Sequence, residues 1–231
     1  MKNFRMAVGN SLKGKIDEHG FFLQKISEVT NIIEQKHAKQ DYPLNTELDQ
    51  LNCFFSAYLN TIQSLKDACQ TAMEADFFWG DLSHSYGDFI HYCRNAATHD
   101  GYHLINAGKG TRNYIIGPLR HMDGKGNVIE FDPPKEDILN LCLNISAEGL
   151  ASIGDLLIRE GRKIPVAEEA DFIESNEASL KCDFIPDEVK KIIRANKASI
   201  EASFKEVQIE VIPQTLSAIA SVKQFIADAR I

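Results

Sequence analysis

The sequence predicts an all-α protein: a helical bundle with one small inserted β-hairpin and a helical C-terminal extension. Three observations point there. Apolar residues recur at three- and four-residue spacing over several long stretches, as amphipathic helices require. Glycine, proline and aspartate cluster at a few places between those stretches, where turns are expected. The 231 residues are 44% hydrophobic and 25% charged, which suits a chain that buries a core rather than a disordered one.

Each element follows from a local pattern. Ile16, Leu23, Ile26, Val29 and Ile33 share helical spacing and predict a helix over residues 12–38, broken by Asp41-Tyr42-Pro43. Leu48, Leu51, Phe55, Leu59, Ile62, Leu65 and Cys69 form the most regular stripe and predict a helix over 46–75, with Asn45 or Thr46 as its cap. Phe77-Phe78-Trp79-Gly80-Asp81 reads as an aromatic turn. A third helix is expected over 84–99, starting near Ser83 or Ser85 and stopped by Asp100-Gly101. Asn113 to Leu119 and Val128 to Phe131 read as two strands, joined through Asp123-Gly124-Lys125-Gly126-Asn127, a segment with hairpin chemistry.

Asp132-Pro133-Pro134-Lys135-Glu136 then opens a helix. Ile138, Leu141, Ile145, Ile153, Leu156 and Leu157 carry it to Glu160, and Gly161 can end it. Residues 162–184 turn polar and acidic, with Glu168-Glu169-Ala170-Asp171 as a solvated run. Helical spacing returns over 187–206 and 214–230, separated by Pro213. The organisation expected is a bundle over 1–160, an acidic linker over 161–186 and an extension over 187–231.

Composition narrows the function classes. A net charge of −8 argues against a protein that coats nucleic acid through a broad basic face. It weighs less against an enzyme that touches a few phosphates. No apolar run approaches the ~18 residues of a membrane span, and no apolar segment follows Met1-Lys2-Asn3-Phe4-Arg5 as a signal peptide requires. A soluble cytoplasmic protein is the expectation. Cys53, Cys69, Cys93, Cys142 and Cys182 are odd in number, far apart and without a Cys-x-x-Cys pair, which argues against a disulfide framework or zinc ribbon.

The chemistry concentrates in Arg94-Asn95-Ala96-Ala97-Thr98-His99. RNA cleavage without a metal needs a base for the ribose 2′-OH, an acid for the leaving 5′-oxygen and a cation for the phosphate. Histidine suits proton transfer near neutral pH, and the planar guanidinium of arginine suits phosphate. Asn95 can orient substrate or imidazole. Asn95 and His99 are four apart and share a helix face. Arg94 and His99 are five apart, about 140° around an ideal helix, so convergence is expected if the helix frays or ends near Thr98. The bland alternative is an exposed polar face with His99 favoured by the helix dipole.

The Arg94-Asn95-(x)3-His99 pattern resembles the Arg-polar-(x)-His signature of HEPN domains. The setting is similar as well: a long amphipathic helix before it, the motif at the end of a later helix, and another long helix after it, over about residues 12–160. The resemblance implies a helical bundle that dimerises and brings two motifs into one cleft. It implies a metal-independent endoribonuclease leaving a 2′,3′-cyclic phosphate, in a toxin–antitoxin or anti-phage setting, with RNA as substrate and an antitoxin protein as possible partner. Arg94 would bind phosphate, His99 would be the acid/base and Asn95 the polar companion. In one subset of the family, a Tyr two residues after the His is adenylylated. Gly101 stands at that position and Tyr102 one later, so that control is not carried over. A non-catalytic HEPN-like dimerisation or partner-binding module is the alternative.

Other polar groups lie near the motif in sequence. His99 and His103 stand at ligand spacing, but Asp100-Gly101 interrupts the helix between them, and no metal or cofactor is expected. Lys109, Arg112 and Arg120, with His121 and Lys125, gather near the expected hairpin and could extend an RNA groove or simply be solvated. Gly108-Lys109-Gly110-Thr111 lacks the longer glycine pattern and helix start of a P-loop.

Overall fold

The computed structural model describes residues 1–166, 168, 171, 177–200 and 210–230. It is mainly helical, with two small antiparallel hairpins inserted. Helices α1 (Lys2–Ala38) and α2 (Asn45–Met73) pack along each other as a long helical hairpin. The expected stripe is the buried one: Leu51, Phe55, Leu59, Ile62, Leu65 and Cys69 lie in the core. Helix α1 starts ten residues earlier than its spacing predicts. Its first turns are held by tertiary contacts, since a Cβ at Gly9 would meet Ile164 Cγ2 at 2.5 Å. Helix α2 has no side-chain cap; Leu44 precedes it, so neither Asn45 nor Thr46 caps it.

After α2 the aromatic segment is partly helical, as the short α3 (Trp79–Leu82), and α4 (Gly87–His99) follows. One expected hairpin becomes two. Strands β1 (Ala107–Lys109) and β2 (Arg112–Tyr114) pair with Gly108 opposite Asn113. Strands β3 (Leu119–Met122) and β4 (Val128–Phe131) pair with His121 opposite Ile129. The Asp123–Asn127 turn is where the sequence puts it: the Asp123 carboxylate accepts from the backbone N–H groups of Lys125 and Asn127, each at 2.8 Å. The first strand, however, is not one run over 113–119. The chain leaves β2 at Tyr114 and begins β3 at Leu119, after Gly117-Pro118.

Helix α5 (Ile138–Glu160) starts later than the prolines suggest. Its cap is Asp137, whose carboxylate accepts the Asn140 N–H at 3.1 Å. By length and composition α5 is apolar enough to cross a membrane. Most of its apolar side chains are nevertheless buried in the core: Leu141, Ile145, Leu150 and Ile153 are 1–2% exposed. A single 3-10 turn (Gly161–Lys163) follows.

Helix α6 (Asp187–Ala195) buries no residue, and α7 (Val211–Asp228) closes the described chain. Residues 201–206 of the expected 187–206 helix lie outside the described residues, as do residues 169 and 170 of the Glu168–Asp171 run. Pro213 does not separate helices; it sits in the first turn of α7, where its missing N–H leaves no bond unmade. Nor is α7 an appendage. It packs on α1 and α5, and its Ala218, Ile219, Val222 and Ile226 belong to the main core. Cys69, Cys93 and Cys142 are buried as small core residues, Cys182 is half-buried and Cys53 is exposed.

One polar cluster lies inside this core. His19 on α1 sits between Thr61 Oγ1 (3.0 Å from Nδ1) and Ser146 Oγ (3.0 Å from Nε2). Tyr58 OH is 2.9 Å from Ser146 Oγ and donates to the Cys142 carbonyl at 2.8 Å. These bonds join α1, α2 and α5 at one level of the bundle.

Candidate active site

The motif is carried by α4, a helix fixed at both ends. At its start, Ser83 Oγ and the Ser85 N–H both donate to Glu148 of α5, at 2.7 and 3.2 Å. Gly87 passes so close to α3 that a Cβ there would lie 2.4 Å from the Trp79 carbonyl oxygen. Across its middle runs a row of rings. Trp79 stacks on His91 (centroids 5.5 Å apart), His91 on Tyr92 (5.3 Å), and Tyr92 meets Phe131 of β4 (5.4 Å). Lys66 Nζ lies over the Trp79 ring, 5.3 Å from its centroid, and Phe89 meets Phe131 edge-on. Both ends of the row are therefore occupied. It clamps α4 between α3 and the second hairpin and is not an open platform. Burial and then the neighbouring His121 lower the pKa of His91.

At its end α4 runs through His99, with Asp100 as C-cap and Gly101 in the left-handed region at φ +70°. The Asp100 carboxylate accepts the His121 Nδ1–H at 2.9 Å and the Met122 N–H at 3.2 Å. The His121 hydrogen bond is the main reason its pKa lies below the usual carboxylate range. Thr98 Oγ1 donates to Asn60 Oδ1 of α2 at 3.2 Å.

Within this frame Arg94, Asn95 and His99 come together. Arg94 Nη1 donates to Asn95 Oδ1 at 3.1 Å and lies 3.0 Å from His99 Nε2. A guanidinium only donates, so Nε2 is the acceptor and the imidazole proton sits on Nδ1. The helix ends at His99, next to Thr98, as convergence of the two side chains requires. The length of the arginine side chain spans the gap while His99 remains helical. Arg94 Nε is buried and has no partner among the described residues, so the guanidinium keeps a donor in reserve. His99 and the neighbouring His103 are exposed.

The basic residues expected to widen the site are placed differently. Arg112 is held by Asp137 at 2.5 Å. Burial pushes the Asp137 carboxyl up, but hydrogen bonds from Asn140 and Arg112 outweigh it and leave the pKa lowered. Arg112 thus ties β2 to the cap of α5. Arg120 pairs with Glu130 across the second hairpin at 3.2 Å, and Lys109 is exposed on β1. Among the described residues no three His, Cys, Asp or Glu side chains gather as a metal site.

The sequence missed the Asp100–His121 pair. Asp100 read as a stop signal and His121 as one more basic residue, and the two are 21 positions apart, beyond any local pattern. No protein-family model, no curated protein and no solved structure matches the chain.

Proposed function

We propose that the protein is an endoribonuclease of HEPN type that works as a homodimer in a toxin or anti-phage role. The observation that carries this reading is the 3.0 Å contact between Arg94 Nη1 and His99 Nε2 at the end of α4. It supports the reading because a guanidinium, suited to phosphate, and an imidazole, suited to proton transfer, stand within one hydrogen bond of each other beside Asn95.

The chemistry runs as follows. A phosphodiester approaching Arg94 draws the guanidinium off His99, because a charged oxyanion is the stronger acceptor. That frees His99 Nε2 to take the 2′-OH proton. The 2′-oxygen attacks phosphorus, the P–O5′ bond breaks, and the 5′-oxygen leaves with a proton. The products are a 2′,3′-cyclic phosphate and a 5′-hydroxyl. The reaction so written uses no metal and no cofactor. Base and acid are two roles, so a second motif from a dimer partner completes the set.

The test is cleavage of a mixed-sequence single-stranded RNA by the full chain. Arg94→Ala and His99→Ala should each lower the rate by about a hundredfold or more, with unchanged circular dichroism. Arg94→Lys, which keeps the charge and loses the fork, should recover only part of it. If Arg94→Ala and His99→Ala both cut like the parent, the proposal is wrong.

One observation favours a second reading, a non-catalytic HEPN-like dimerisation or partner-binding module. Two of the hairpin cations, Arg112 and Arg120, are engaged by Asp137 and Glu130, and the chain carries a net charge of −8. Of the three hairpin cations expected to widen an RNA groove, that leaves Lys109. Under this reading the parent chain forms a dimer or binds a protein partner while RNA remains intact.

A further inference from the structure

We propose that Asp100 and His121 are positioning residues for His99: a carboxylate–imidazole clamp that fixes the end of α4 on the second hairpin and so holds the His99 ring against Arg94. The inference rests on the reading of Arg94 and His99 as the working pair.

The position of Asp100 is the first argument. It directly follows His99 and caps the C-terminus of α4. A negative charge is disfavoured there, because the last carbonyls of a helix already present the negative end of its dipole. Asp100 therefore does nothing for the helix itself. Its charge is balanced by two donors from one strand, the His121 Nδ1–H and the Met122 N–H. A carboxylate only accepts, so the proton of His121 is fixed on Nδ1.

The anchor behind those donors is rigid. The His121 side chain is 8% exposed. Its strand is set by the β3–β4 register and by Leu119, which is 4% exposed in the core. Phe131, on the partner strand, packs against Tyr92 of α4. The hairpin thus grips α4 at its middle and at its last residue. Without the second grip the final turn is free to fray. His99 is exposed, and its 3.0 Å contact with Arg94 would become one rotamer among several.

The experiment uses the full chain, with His121→Leu and Asp100→Ala to remove the clamp. His121→Asn keeps a side-chain N–H close to the position of Nδ1. Two readouts are taken. The first is nitrogen-15 NMR of the His99 ring without RNA. The parent should show one Nδ1–H tautomer, and the two disabling variants should show the averaged mixture of a free imidazole. The second is cleavage of the mixed-sequence RNA. Both disabling variants should lose about tenfold or more in kcat with little change in KM, and His121→Asn should recover most of it. A parental His99 spectrum in His121→Leu and Asp100→Ala overturns the clamp, as does a parental kcat in both. The NMR arm decides the clamp even if the parent cuts no RNA. Cleavage that survives Arg94→Ala and His99→Ala sinks the nuclease reading and leaves the clamp to be judged by the spectrum.

Discussion

His19 is an ionisable ring placed where its charge has no water and no acidic partner among its hydrogen bonds. Its cluster with Thr61, Ser146, Tyr58 and two backbone carbonyls is joined by five hydrogen bonds, two of them to the ring itself. With a neutral imidazole, the three hydroxyls and the ring supply four protons, one too few for all five. Protonation would complete the set, but burial opposes it and lowers the His19 pKa to about 4. Desolvation wins because the fully buried ring would hold its charge in a low-dielectric core. The unfolded chain then binds the proton more readily, between its ordinary pKa near 6.5 and the folded value near 4. Stability contributed by the neutral ring is complete above about pH 6.5 and falls as the pH drops towards 4, by a few kcal/mol on the order-of-magnitude linkage scale. Urea melts at pH 7, 5.5 and 4.5 should show that slope, and His19→Gln, which cannot titrate, should flatten it. An equal slope in the variant refutes the assignment. Neither this network nor the Asp100–His121 pair was legible in the sequence. The partners of His19 lie 42 and 127 positions away. Arg94, Asn95 and His99 were legible because a single helix brings them together, so local spacing carried the information.

At the scale of elements, legibility followed how local the forces are. Helix α2 was read almost to the residue, since one uninterrupted stripe both forms it and buries it. The hairpins were read half-correctly. Turn chemistry marked Asp123–Asn127, but Ala107–Lys109 has little strand propensity and pairs because the surrounding chain is fixed: Asn52 Oδ1 accepts the Ile105 N–H at 2.9 Å and Asn106 Oδ1 the Ile116 N–H at 2.8 Å. The serines suggest caps and a start for α4 at 84, three residues before Gly87, where it begins. The residue that matters there is Gly87. A methyl group at 2.4 Å from the Trp79 carbonyl oxygen and 2.7 Å from its carbon meets backbone, so no rotamer change relieves it. Gly87→Ala should therefore destabilise the chain by about 2 kcal/mol or more, although alanine is the better helix former. Under the proposed nuclease function, it should also weaken RNA cleavage through displacement of α4. Gly14→Ala is the control, because nothing lies within 4 Å of its Cβ position. It should be neutral or slightly stabilising in the same thermal melts. Equal melts for the two variants would mean that α3 and α4 are not in contact as described.

At the scale of the molecule, the polar stretch after Gly161 suggested a boundary, with the bundle complete at residue 160. Periodicity can show that residues 214–230 form an amphipathic helix, but not where its apolar face goes. That face goes back into the bundle. Ile219, Val222 and Ile226 are 3–8% exposed, and a Cβ at Gly20 of α1 would meet Val222 Cγ2 at 2.8 Å, a close approach of two helices. Each such side chain contributes roughly 1.5–3 kcal/mol by burial, so the three together rival the whole stability of an ordinary domain, about 5–15 kcal/mol. Removing residues 210–231 also strips cover from the faces of α1 and α5 that α7 packs on. The truncated chain should lose its cooperative thermal transition, or retain it only well below the parent, and should bind a hydrophobic dye. Val222→Asp in the full chain makes the same point without deletion. It places a charge against the α1 helix at Gly20, at a residue only 8% exposed, and should destabilise by several kcal/mol. If the chain ending at 209 and the Val222→Asp chain both melt within a few degrees of the parent, α7 is not part of the core, and the bundle that carries Arg94 and His99 is complete without it.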